Sequence, residues 1–383
     1  MKSVFDQPGW WQRLRPLFSG FDLPLLLAIA WLMLLGLLCM YSAGFDHGTR
    51  FVDHARNMVL SVLIIFFVAQ IPVQRLMSLA IPLYSIGLAL LVATAMFGLT
   101  KKGATRWLNL GVVIQPSELL KIATPLMLAW WFQKREGLLR LPDFIVAFLL
   151  LALPVLLVAR QPDLGTAILI AAAGFYVIFF AGLSWRLIIP CFLACAISVT
   201  TLVLSEDAIC QPEVQWPLLR EYQKTRICTL LDPTKDPLGK GFHIIQGEIA
   251  IGSGGITGKG FMKGSQTHLE FIPERTTDFI FAAFGEEFGL LGASALLAGF
   301  GTLILRGLKI ASDAPSLFSR VMAGAITMSF FTYVFVNMGM VSGILPVVGV
   351  PLPFVSYGGT AMVTLGFGLG MLMSIAKSRR VNL

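Results

Sequence analysis

The chain has 383 residues, of which 56% are hydrophobic and only 13% charged, with a formal net charge of +8. Soluble domains carry closer to a quarter of charged residues, so the composition excludes a soluble enzyme and indicates an all-α, polytopic integral membrane protein. The positive balance gives no reason to expect nucleic acid as a partner, because Lys and Arg gather in the cytoplasmic loops of membrane proteins and fix their orientation.

Residues 1–21 are basic, with Lys2, Arg13 and Arg15, and read as a cytoplasmic segment. The apolar run from Leu23 to Tyr41 is too long for a cleaved signal peptide, and no small-residue cleavage pattern follows it, so it reads as a retained first span. Runs of about 20 apolar residues mark membrane helices, and ten are expected, at 22–42, 57–71, 76–98, 116–133, 142–159, 164–182, 185–204, 278–306, 319–342 and 354–376. They make 22–383 a single membrane domain. With ten spans, Lys134, Arg135, Arg140, Arg306, Lys309, Arg320, Lys377, Arg379 and Arg380 fall on the side of the N-terminus, which places both termini in the cytoplasm. Lys101, Lys102 and Arg106 break that pattern on a short outer loop, and positive charge kept there hints at an anionic ligand. Residues 205–277 form one long outer segment. Loops of that length are functional or disordered, and the aromatic and aliphatic residues spread through this one favour an ordered segment packed on the bundle.

The five cysteines do not make a disulfide scaffold. Cys39, Cys191 and Cys195 lie in apolar runs, whereas Cys210 and Cys228 share the polar outer segment and could pair if it faces an oxidising compartment.

Several stretches carry chemistry. In RWLNLGVVIQPSELLKIA (106–123), Pro116 suits a first helical turn, and Glu118 favours its positive end. Capping does not explain Lys121 one turn further into an apolar helix; at i, i+3 it can pair with Glu118. Ionisable residues at membrane depth face an interior or a wet cavity. In ARQPDLGTA (159–167), Asp163 either caps the sixth span or forms a wall of the same cavity. IGSGGITGKG (251–260) fits neither a P-loop nor a dinucleotide fingerprint. It reads as an outer turn, or as a backbone and Lys259 contact for a phosphate or sugar. In PERTTDFIFAAFGEEFG (273–289), Pro273 breaks the chain, Thr276 or Thr277 is a natural N-cap and Asp278 falls in the first turn. On a continuous helix Ala282, Gly285, Gly289 and Gly292 would line the face under Asp278, against a neighbouring helix or a substrate. Glu286 and Glu287 lie deeper and read as structural, and Arg275 joins Lys259 as a candidate substrate contact. Finally, NMGMVSGILPVVGVPLPFVSYGGT (337–360) has three prolines and five glycines in 24 residues. It should be irregular and sheltered by protein or lining a cavity.

Together RWLNLG…QPSELLK, RQPDLGTA, LLDPTKDPLGKGFHIIQGEIAIGSGGITGKG, PERTTDFIFAAFGEEFG and LPFVSYGG resemble the SEDS family, the shape, elongation, division and sporulation proteins. The resemblance covers nearly the whole chain, and the hairpin NMGMVSGILPVVGVPLP sets it with the elongation branch. It implies ten spans with a large loop between the seventh and eighth. It also implies a place in the bacterial cytoplasmic (inner) membrane and the polymerisation of peptidoglycan from lipid II. The family's essential aspartate matches Asp278, and its cavity residues match Arg106, Glu118, Lys121 and Asp163. Ser205–Pro217 is longer than the family pattern at the start of the outer loop. The implied reaction joins the C4 hydroxyl of a GlcNAc to C1 of a lipid-linked MurNAc, with Asp278 as general base and undecaprenyl diphosphate as leaving group. The α-linked donor and β-linked product imply one direct inverting displacement. Implied partners are lipid II and the growing glycan strand, a class B penicillin-binding protein and other elongation-complex membrane proteins. No protein metal site is implied, and a divalent cation, Mg or Mn, stays open as a companion of the pyrophosphate. Rival readings are a lipid II flippase, which needs no base at Asp278, and a scaffold, which needs no charges at membrane depth.

Overall fold

The computed structural model describes residues 20–381, apart from residues 47, 102, 103, 110, 112, 138, 212, 215, 217–220, 236–238, 270 and 273. Residues 1–19 of the basic N-terminal segment, with Lys2, Arg13 and Arg15, lie outside the described residues, as do Lys102 and Pro273.

A helix answers each of the ten predicted spans. α1 (Leu23–Ala43) begins at Asp22, whose carboxylate accepts from the Leu25 amide at 3.1 Å. α2 (Arg50–Ala69) starts seven residues before the predicted span, because Asp53, His54, Arg56 and Asn57 hide its first two turns from a hydropathy reading. α3 (Val73–Ser78) and α4 (Ala80–Phe97) make the third span. The short outer loop expected next is instead a small antiparallel sheet of β1 (Leu99–Lys101), β2 (Ala104–Asn109) and β3 (Val113–Ile114). α5 (Pro116–Lys134), α6 (Leu141–Arg160), α7 (Leu164–Phe180) and α8 (Trp185–Leu204) follow. α13 (Ile280–Ser312), α14 (Leu317–Val341) and α15 (Gly359–Val381) complete the bundle. Eight of the ten spans are long and apolar enough to cross a membrane. α7 is shorter, and α5 carries Glu118, Lys121 and Lys134.

α15 packs along α2, and α13 along α1 and α14. Asp22 also receives both guanidinium arms of Arg306 at 2.8 and 2.6 Å, which ties the start of α1 to the far half of α13. α8 is the exception to the packing, for none of its residues is buried. Lipid tails are as apolar as its leucines, so a helix can stand in a bilayer without protein neighbours.

Residues 205–277 fold into α9 (Glu206–Ile209), α10 (Glu221–Leu231), a 3-10 turn at Pro233–Lys235, α11 (Lys240–Gly254) and α12 (Ser265–His268). Cys210 and Cys228 are joined in a disulfide. Within the loop it closes, the buried Lys224 ammonium donates to the carbonyls of Gln211 (2.7 Å) and Val214 (2.6 Å).

The glycine segment after α11 is neither a free turn nor a phosphate cradle. It is inserted into α13. At Gly289 the backbone is left-handed (φ 61°), and the helix is split there into two halves. An unbroken helix would bond the Leu290 amide to Glu286 and the Leu291 amide to Glu287. Instead those amides donate to the carbonyls of Gly255 (2.9 Å) and Ile256 (3.0 Å). The orphaned Glu286 and Glu287 carbonyls accept from the amides of Lys259 and Gly260, both at 3.0 Å. Two helical bonds are thus exchanged for four to the strap 255–260. The same break corrects the small-residue stripe. Gly285 lies against Ile251, and Gly289 against the Gly258 amide, so these positions receive the strap and α11.

Backbone-on-backbone packing this close needs glycine. At Gly258 (φ +79°), a Cβ would stand 2.1 Å from the Glu287 carbonyl oxygen. Gly258→Ala should destabilise the protein by roughly 2 kcal/mol or more, from overpacking and positive φ together. Gly252→Ala, where nothing lies within 4 Å of an added Cβ, should be neutral or slightly stabilising. Thermal midpoints of the two purified variants in one detergent check this ordering.

Candidate active site

α5 opens with Gln115 at its N-cap and Pro116 in its first turn. That turn sets Glu118 and Lys121 on one face. Lys121 Nζ lies 2.6 Å from Glu118 Oε1, and both side chains are nearly buried. Glu118 Oε2 also accepts from Thr364 Oγ1 on α15 at 3.2 Å, and the Lys121 ammonium lies 5.8 Å from the centre of the Tyr333 ring on α14. Lys121 lines a mostly apolar cleft of about 50 Å3, walled by Leu169, Met322, Ile326 and Phe330 among others. Removal of water from such a wall strengthens the attraction between the two charges.

A second cluster faces it from the turn between α6 and α7. Asp163 is the N-cap of α7, accepting from the Thr166 amide at 3.3 Å. Its other oxygen accepts from Gln115 Nε2 at 3.0 Å, and Gln115 also reaches Ser117 Oγ at 3.1 Å. Arg106 on β2 lies 3.7 Å from Asp163 and donates to the carbonyls of Gln161 and Pro162. Asp163 therefore does both things the sequence allowed, capping a helix and walling the cluster, and it is within electrostatic reach of Lys121.

Asp278 is not in the first turn of α13. It sits in the tight turn 274–279 just before it, and Phe279, not Thr276 or Thr277, holds the N-cap position. The turn is held by distant residues. Thr276, Thr277 and Asp278 present consecutive carbonyls, which accept from the Tyr357 amide (2.8 Å), Ser356 Oγ (2.7 Å) and Asn337 Nδ2 (3.0 Å). Arg50 on α2 donates to Thr276 Oγ1 and lies over the Tyr357 ring. The partners belong to α14 and to the outer hairpin 342–358, the irregular chain between α14 and α15. The hairpin also brings Asp278 to the second cluster. Its Val348 carbonyl packs on Gly165, two residues after Asp163, and the next residue, Gly349, packs on the partly exposed Asp278 carboxylate.

The structure thus gathers Asp278, Asp163, Arg106, Glu118 and Lys121 around one corner of the bundle, at the end that carries the hairpin 342–358. Lys259 and Arg275 are closed in ion pairs of their own. Lys259 Nζ is 2.7 Å from Glu286 Oε1, which also accepts from Ser265 Oγ and the Gln266 amide. The buried Arg275 binds Asp46 and the Ala43 carbonyl and lies 5.5 Å from the centre of the Phe45 ring. Glu287 accepts from Ser42 Oγ and faces His268 at 3.6 Å. Tyr333, Thr364, Gln115, Arg50, Asn337 and Ser356 were not reached by sequence reasoning, because each is polar in a stretch whose other features explain it and only the tertiary fold supplies its partner.

Residues 22–381 match the family described as cell cycle protein, FtsW/RodA/SpoVE. The chain is 48% identical over 358 residues to peptidoglycan glycosyltransferase MrdB of Escherichia coli (strain K12), with 93% of each chain covered. It is similar to a solved chain of a peptidoglycan synthase complex that coordinates polymerization and crosslinking, with a TM-score of 0.78, 30% identity and 94% and 99% of the two chains covered. It is also similar to the rod shape-determining protein RodA of Thermus thermophilus, with a TM-score of 0.69, 28% identity and 94% and 98% covered.

The buried Glu118–Lys121 pair makes its own prediction. Glu118→Gln leaves Lys121 without its anion and should cost about 3–5 kcal/mol, the usual penalty for breaking a buried pair from one side. Adding Lys121→Met should recover at least ~1 kcal/mol of that, as read by denaturation of the single and double variants.

Proposed function

The chain belongs to the FtsW/RodA/SpoVE family and is a multi-pass peptidoglycan glycosyltransferase of the inner membrane; we propose that it polymerises lipid II for cell-wall elongation by direct inverting displacement, with Asp278 as general base. The observation that carries this is the partly exposed Asp278, in a turn held by three backbone anchors beside two cation–carboxylate pairs. A sugar hydroxyl is a weak nucleophile, so a base must take its proton as the bond forms. The GlcNAc C4 oxygen attacks C1 of the lipid-linked MurNAc, its proton passes to the Asp278 carboxylate, and the C1–O bond breaks with its electron pair leaving on undecaprenyl diphosphate. A diphosphate needs cations near it rather than a protonating acid. Arg106 and Lys121 are the cations of the cluster, with Glu118 and Asp163 holding them in place.

Lys259 and Arg275 stand outside these contacts in the proposal, since their partners hold the strap and the Asp278 turn. A divalent cation, Mg or Mn, is kept in the proposal as a companion of the substrate. Among the described residues no three or more His, Cys, Asp or Glu side chains are grouped to hold a metal ion, and Mg2+ at phosphates commonly takes only one or two carboxylates. We further propose that 22–383 is one membrane domain with both termini cytoplasmic and 205–277 on the outer face. That orientation puts the Cys210–Cys228 bond in an oxidising compartment, where disulfides persist.

A flippase or scaffold would tolerate the loss of the base. Asp278→Asn keeps the shape and removes the basicity, so glycan synthesis from lipid II should fall at least ~10²-fold with the fold intact. Near-normal product from a folded Asp278→Asn protein would sink the assignment.

The solved synthase complex supports a crosslinking partner for this chain too, and we propose a class B penicillin-binding protein docking at the outer hairpin, where Ile344 is 68% exposed. A photocrosslinker at position 344 should capture that partner in membranes; capture only from distant positions would move the interface.

A further inference from the structure

Asn337 belongs to neither charged cluster. It lies about one turn from the outer end of α14 and is fully buried. Its side-chain nitrogen donates to the Asp278 carbonyl at 3.0 Å and to the Val350 carbonyl at 2.7 Å. Both facing groups are acceptors, so the amide can present only its NH2 to them, and no flip is compatible with this site. The remaining oxygen, Oδ1, is buried without a hydrogen-bond partner. An unsatisfied buried acceptor is unfavourable, and a position that needed only volume would be filled at lower cost by Leu. The two bonds are therefore what the residue provides.

They join two segments that Tyr357 and Ser356 also tie together, but the Asn337 bonds are those that reach the peptide of Asp278 itself. One is the turn carrying Asp278. The other is the hairpin at Val350, next to Gly349, where an added Cβ would stand 3.3 Å from Asp278 Oδ2. Through one nitrogen, Asn337 sets how far the turn stands from the hairpin that flanks the carboxylate. Ser356 acts on the neighbouring peptide, donating to the Thr277 carbonyl while its oxygen accepts from the Leu352 amide at 2.8 Å. Tyr333, one turn earlier on α14, lies under Lys121, so the same helix face serves both the base and the cationic side of the site.

We infer that Asn337 is a positioning residue for glycosyl transfer, acting through the backbone of Asp278 and assisted by Ser356. The inference rests on the reading of Asp278 as the base. A base must lie within about 2.6–3.2 Å of the hydroxyl it deprotonates, and a displacement of about 1 Å can cost ~10²-fold in rate. Asn337 touches neither sugar nor diphosphate, so its loss should lower kcat and leave KM alone.

The test is steady-state polymerisation of lipid II by the full-length protein, together with its partner where the partner is needed for activity. Asn337→Leu should fold, keep the wild-type KM for lipid II and lose about 10- to 100-fold in kcat. Wild-type kcat, or a loss confined to KM, would overturn the inference. If Asn337→Leu does not give a monodisperse protein, Ser356→Ala decides, since it removes the donor to Thr277 with little change in packing. It should lose several-fold in kcat, and an unchanged kcat overturns the inference. Asp278→Asn run alongside separates the two readings. Activity in Asp278→Asn removes the base assignment and this inference with it, whereas its inactivity beside a fully active Asn337→Leu removes the positioning role alone.

Discussion

A bilayer core offers no water to an open backbone, so every peptide group that leaves a helix there must find a partner in the protein. The outer half of this bundle is organised by that constraint. α13 is opened at Gly289, and the four freed backbone groups are all taken by the strap 255–260. Just outside, the turn 274–279 presents three carbonyls in succession, and α14 and the outer hairpin supply their donors. The glycines and prolines that make these segments irregular are tolerable because each irregular piece satisfies another. The result is a frame of backbone bonds around the Asp278 turn, which is what the proposed base, meeting a weakly acidic alcohol, requires.

The charges nearby are arranged on a related principle. Lys121 is matched by Glu118 and Arg106 by Asp163, so the resting site buries no uncompensated cation. The diphosphate of the proposed reaction would meet cations already oriented, with Lys121 nearly buried, and would compete with their carboxylates for them. On the proposed mechanism, binding is an exchange of partners rather than a simple gain, which suits release of a diphosphate product every cycle. α14 runs past both parts, with Tyr333 beside Lys121 and Asn337 on the Asp278 turn. The Glu118–Lys121 pair and the Asp278 turn therefore share one helix.

Much of this was legible in the residues. Each of the ten apolar runs became helical, the third as the two helices α3 and α4, and Pro116, Glu118, Lys121 and Asp163 took the local positions their spacing implied. Local rules failed where long-range bonds override them. Thr276 and Thr277 look like N-caps, yet their carbonyls are claimed by Tyr357 and Ser356, and the helix starts at Ile280. The small residues of α13 were read on a continuous helix, whereas Gly289 breaks it. IGSGGITGKG has the composition of an anion loop because both uses need bare backbone close to another group; here that group is a helix. β1 to β3 are too short for a periodicity to appear, and Asn337 carries no local signal at all.

The split in α13 also bears on how the chain is built. A membrane span that closes all its own backbone bonds can enter lipid by itself, but the bonds around Gly289 are completed only by residues 255–260. The strap precedes the span in the chain, so it is synthesised first, and in the proposed orientation it has to cross the membrane before the span can close on it. Until the two meet, four polar groups stand open at the edge of the hydrocarbon. Insertion of the eighth span is thus a docking event as much as a partitioning event, and assembly of this corner of the bundle follows the order in which the polypeptide emerges.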